Sequence, residues 1–161
     1  MNITRNDGFP MTKMAECIQA IEDGKRWIVE RYPDVEDELD QYEIILKPGN
    51  IKSRHFDKER KIILARSDWI GFYARACREI GHGLKEHVGV YDREIVFMTN
   101  VIHELTHAVQ NIRDFHRGNE TDTTLNELAW LKQHKLPIYW RCFDGKTHVY
   151  LSHATIERKR K

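Results

Sequence analysis

An α+β domain is what this sequence predicts, on three observations. Apolar residues recur at helical spacing from Met11 to Tyr32, two short β-branched runs follow between residues 42 and 65, and a second helical stripe begins near Asn100. At 161 residues the chain suits one domain with its own core. Residues 1–161 are therefore read as a single unit, with 157–161 as a flexible basic tail.

In the first helix Met14, Ile18, Ile21, Ile28 and Val29 mark the apolar face, and Pro33 stops the run. Tyr42-Glu43-Ile44-Ile45-Leu46, closed by Pro48-Gly49, and Lys61-Ile62-Ile63-Leu64-Ala65 predict two neighbouring antiparallel strands. Trp69 to Ile80 reads as another helix, ended by Gly81-His82-Gly83. Glu94 to Met98 fits strand or helix equally well on local pattern. Ile102, Leu105, Val109 and Ile112 then form one apolar stripe of a helix over Asn100–Arg117. The segment Thr121 to Glu127 starts the next helix. Ile138-Tyr139-Trp140-Arg141-Cys142-Phe143 and His148-Val149-Tyr150-Leu151 predict strands joined at Asp144-Gly145, so the expected sheet is short and mixed or antiparallel.

Composition excludes several classes. With 40% hydrophobic and 32% charged residues the chain is neither low-complexity nor fibrous. Its net charge of +1 hides an acidic N-terminal part: residues 1–50 carry 6 basic and 11 acidic side chains, the remainder 20 and 14. The acidic run Asp34 to Asp40 and the basic run Arg158 to Lys161 both read as solvated surface. The basic tail is a weak pointer to nucleic acid, because no aromatic residues interleave with it. Cys17, Cys77 and Cys142 are odd in number and widely spread, which suits a reducing compartment and indicates no cysteine metal site. No signal peptide and no run of eighteen apolar residues is seen, so a soluble, cytoplasmic protein without membrane contact is expected.

The chemistry appears on the second helix. His103 and His107 lie four residues apart, one turn along one face, so both imidazoles can reach a common ion. Zinc favours neutral imidazole nitrogens in tetrahedral geometry, and a catalytic site keeps one position for water. Glu104 lies beside that face, where its carboxylate can take the proton of the attacking water. A third ligand has to come from another element, and Glu127 is the candidate. The same residue could instead close a capping box on Thr124, unless Thr123 is the cap.

The segment His103-Glu104-Leu105-Thr106-His107-Ala108-Val109 resembles the active-site helix of the thermolysin-like zinc metallopeptidases, the gluzincins. In that family the third ligand is a glutamate, preceded by asparagine, twenty residues beyond the second histidine, and Asn126-Glu127 falls at that spacing. The resemblance covers Ile102 to Glu127. It implies a minimal zincin-like domain that hydrolyses a peptide bond, with an extended peptide or protein substrate paired along an edge strand. Lys61 to Ala65 is the candidate edge.

The chain departs from that family in two ways. The aspartate that orients a zinc histidine, four residues after the ligand glutamate, is replaced by Leu131, so another acceptor must hold the ring. Only 54 residues follow His107, which leaves no large C-terminal lobe to bring an oxyanion-stabilising histidine. His148 and Tyr150 are the candidates for that role, with Asp144 available to orient His148. His116, nine residues after His107, is turned roughly 180° away on a continuous helix. His55, His82, His87 and His134 have no partner spacing and read as surface or local hydrogen-bonding residues. Two further readings stand beside a peptidase of narrow intracellular range. One is a regulatory metalloprotease acting on a repressor or DNA-bound protein, and the other a non-catalytic zinc-containing binding module.

Overall fold

In the computed structural model, residues 1–48, 53–56, 58–66, 71–77, 85–91, 93–113, 120–136, 138–142 and 147–150 are described. Strand β1 (Asn2–Arg5) leads through a 3-10 turn at Met11–Lys13 into helix α1 (Met14–Arg31), and Pro33 opens a second 3-10 turn before the short helix α2 (Glu36–Leu39). Strands β2 (Glu43–Pro48), β3 (Arg54–Phe56) and β4 (Lys61–Arg66) follow, and then β5 (Gly71–Cys77) and β6 (Lys85–Tyr91). Helices α3 (Arg93–Ile112) and α4 (Glu120–Gln133) precede a final pair, β7 (Ile138–Cys142) and β8 (Thr147–Tyr150). Helix and sheet are mixed, as the α+β expectation requires.

The first sheet has the order β1-β2-β4-β3. Here the expected antiparallel pairing of β2 and β4 is corrected: they run parallel, with Ile44 opposite Ile62 and Leu46 opposite Leu64. Those four side chains are buried, so parallel register stacks two apolar rows on one face of the sheet. The physical reason lies between them. Strand β3 takes the antiparallel place on the other edge of β4, through a turn in which Arg60 adopts φ 47°. β1 also pairs parallel with β2, because the 18-residue α1 is a crossover that returns the chain in the same direction. Strand β4 is thus internal, flanked by β2 and β3, and the assignment of Lys61 to Ala65 as a substrate-binding edge fails. The edges of this sheet are β1 and β3.

The second sheet is antiparallel throughout, in the order β5-β6-β7-β8. The helix expected over Trp69 to Ile80 is a strand at Gly71–Cys77, paired with β6 from Gly71 opposite Tyr91 to Cys77 opposite Lys85. Phe72, Tyr73 and Cys77 suit a strand, and a cross-strand partner outweighs the weak helical periodicity. The terminal hairpin forms as expected, with Trp140 opposite His148 and Ile138 opposite Tyr150.

The ambiguous Glu94 to Met98 is helical and makes up most of the first two turns of α3, which begins well before Asn100. This helix is the centre of the fold. It packs against α1, α4 and β4, and its Phe97, Val101, Ile102, Leu105 and Val109 enter the core. α1 approaches it closely at Gly24, where an added Cβ would lie 2.5 Å from Val101 Cγ1. The far end of α3 is fixed twice: Asn111 donates to Tyr42 Oη at 2.7 Å, and Arg113 donates from Nε to Asp34 Oδ2 at 3.0 Å. The acidic run is therefore an ion-paired surface, in which Asp40 also meets Lys25 and Glu38 meets Arg60. Its Val35 and Leu39 turn inward to the core. Among the described residues no helix is long and apolar enough to cross a membrane.

Candidate functional site

The helical geometry of α3 brings His103 and His107 together. Their Nε2 atoms lie 3.2 Å apart, with ring centroids 4.8 Å apart and planes nearly perpendicular at 81°. His103 is buried and His107 half-buried, and Glu104 is buried beside them on the same turn. Two imidazoles that bind one zinc at about 2.0–2.1 Å in tetrahedral geometry have their nitrogens about 3.3–3.4 Å apart. The observed spacing is close to that value.

The other nitrogen of each ring is engaged by an oxygen. Glu127 Oε1 lies 3.1 Å from His103 Nδ1, and Gln110 Oε1 lies 2.9 Å from His107 Nδ1. Where both Nδ1 atoms donate, both Nε2 atoms present lone pairs to each other, and at 3.2 Å such a pair has to share a proton or a cation. Glu127 can supply that proton indirectly. It is fully buried, and burial raises its carboxyl pKa well above the ordinary value. A protonated Glu127 donates to His103 Nδ1, His103 then donates from Nε2 to His107 Nε2, and His107 donates from Nδ1 to Gln110. A divalent cation would replace the shared proton and compensate the buried carboxylate, so the donor set fits a metal of the zinc type.

Among the described residues no group of three or more His, Cys, Asp or Glu is gathered as a ready cation site. The two imidazoles converge, whereas Glu127 reaches the nitrogen of His103 that does not face His107.

Helix α4 brings Glu127 here because Thr123, Asn126, Glu127, Trp130 and Leu131 form one buried stripe at spacings of three and four. The capping alternatives are corrected by the same helix. It starts at Glu120, so Thr123 and Thr124 are buried inside it and neither is its cap. The asparagine before Glu127 ties α4 to its neighbours. Asn126 Nδ2 donates to Thr106 Oγ1 at 3.0 Å and to Tyr32 Oη at 3.1 Å, while Thr106 Oγ1 donates to the Ile102 carbonyl at 2.7 Å.

Gln110, Asn126, Thr106 and Tyr32 were not singled out as site residues by sequence. Gln110 had a usable signal, since it lies three residues after His107 on the same helical face. Tyr32, at the end of α1, had none. His148 and Tyr150 are placed on β8 by register, and their side chains lie outside the described residues, as do His116, Asp144 and the basic tail. Of the remaining histidines, His134 bonds the Trp130 carbonyl at 2.8 Å and stacks on its ring, a local role. A cleft of about 350 Å³ opens elsewhere, lined in part by Trp27, Glu30, Met98, Trp130 and His134, and includes none of His103, Glu104 or His107.

Comparison with protein-family models, with curated proteins and with solved structures finds no match to this chain.

Proposed function

We propose that the chain is a zinc-dependent peptidase in which His103, His107 and Glu127 hold the metal and Glu104 is the general base. The observation that carries this reading is the 3.2 Å approach of the two Nε2 atoms. Zinc, when bound, supplies a Lewis acid that acidifies water and polarises a carbonyl. His103 and His107 present neutral nitrogens to it. Glu104 takes a proton from the attacking water and returns it to the leaving amine. His148 or Tyr150, near the C-terminus, stabilises the oxyanion, and the substrate is an extended peptide. The same helix-and-sheet arrangement around α3 is read as a reduced zincin-like domain.

The position of Glu127 on His103 Nδ1 favours a second reading within the same chemistry. Glu127 then orients His103, as second-layer carboxylates do, and another oxygen completes the metal site.

The test is zinc content and cleavage of a peptide library, for the parent and Glu104→Gln. Glu104→Gln keeps its zinc and loses about 10²–10⁴-fold in cleavage. Equal cleavage by the two proteins overturns the peptidase. Zinc bound tightly by the parent without cleavage of any peptide leaves a non-catalytic binding module.

A further inference from the structure

We propose that Gln110 is the positioning residue for His107, fixing the ring in the Nδ1–H tautomer so that its Nε2 lone pair is directed at His103. The inference deepens the metal-site reading and rests on it for its functional meaning, though the tautomer itself is a property of the metal-free protein.

The direction of the amide is decided by what it touches at each end. Gln110 Nε2 donates to Asp122 Oδ2 at 3.4 Å, and a carboxylate can only accept there. With its amino group turned to Asp122, the amide presents Oε1 to His107 at 2.9 Å. That oxygen cannot donate, so His107 Nδ1 must carry the hydrogen, and the lone pair falls on Nε2. The side chain is buried, which holds the amide in this orientation away from competing water. One turn separates His107 from Gln110 on α3, and Asp122 stands in the first turn of α4. The chain Asp122–Gln110–His107 thus links the start of α4 to the second imidazole.

The two rings are held by different chemistry. His103 faces a carboxyl group and His107 a neutral amide. An amide fixes the tautomer without adding a negative charge beside the site.

The experiment uses nitrogen NMR of the histidine rings in the metal-free full chain, followed by zinc affinity from chelator competition. In the parent His107 is the Nδ1–H tautomer. Gln110→Met removes the acceptor at similar volume, shifts His107 toward Nε2–H and weakens zinc binding by about 10–100-fold. Combining Gln110→Glu with Asp122→Asn reverses donor and acceptor between positions 110 and 122 while leaving an oxygen for His107. That double variant keeps the Nδ1–H tautomer and binds zinc at least as tightly as the parent. A His107 ring that stays Nδ1–H in Gln110→Met, or zinc affinity within about twofold of the parent, overturns the proposal. If Gln110→Met fails to fold, loss of the tautomer in the double variant overturns it instead. A parent that binds no zinc defeats the metal-site reading alone, because the tautomer is read without metal.

Discussion

Glu127 Oε1 lies 3.1 Å from His103 Nδ1, while the Nε2 of the same ring lies 3.2 Å from His107. A single imidazole is therefore held between a buried carboxyl group and a second imidazole. Glu127→Ala discriminates the two roles open to the carboxylate. As a ligand its loss removes stable zinc binding, whereas as an orienting group its loss weakens binding by about 10–100-fold. Calorimetric zinc titration of Glu127→Ala measures the difference, and unchanged affinity would exclude both roles.

Asn126→Ala should lower stability by about 1–3 kcal/mol, since it removes the hydrogen bonds that Asn126 donates to Tyr32 Oη and to the buried Thr106 Oγ1. Because Asn126 ties α4 to α3, the same change should weaken zinc binding as Glu127 loses its fixed place. Urea denaturation gives the first quantity. A loss below about 0.5 kcal/mol would mean that the other buried side chains of α4 hold it in place.

Gly24→Ala should destabilise by about 1–3 kcal/mol, because the new methyl meets Val101 where α1 packs against α3. The better helix propensity of alanine offsets only about 0.5–1 kcal/mol of that. A thermal midpoint equal to or above the parent's would show that Val101 yields without cost.

Asp34 gives a prediction with a definite sign in pH. The hydrogen bond from Arg113 holds its carboxyl below the ordinary value, so the folded state favours the charged form. The stabilisation is then present above the unfolded value of about 3.9 and is lost as the pH falls through the lower folded value. Asp34 is exposed at the surface, so the effect is small. Asp34→Asn should be less stable than the parent at neutral pH, and the difference should vanish in acid. A difference that grows on acidification contradicts the assignment.

The helices were legible because their signal is local. Met14 to Arg31 and the stripe Ile102, Leu105, Val109 could be read from spacing, and so could the juxtaposition of His103 and His107, since four residues and one helical turn fix it whatever surrounds them. Strand direction was not local. Ile44 and Ile62 have the same apolar pattern for either pairing, and only the placing of β3 antiparallel beside β4 made the pair parallel. Gly71–Cys77 fits a helix on its own periodicity, and only its pairing with β6 makes it a strand.

By itself, then, the sequence determined that two imidazoles share one face of a helix with a glutamate between them in sequence. Only the tertiary structure decided what surrounds those rings: Glu127 on one Nδ1, Gln110 with Asp122 behind it on the other, and Asn126 bound to Thr106 and Tyr32. The physical reason is that helical periodicity comes from backbone geometry repeated residue by residue, whereas the partner of a buried polar group is whichever donor or acceptor the packing of separate helices brings within about 3 Å.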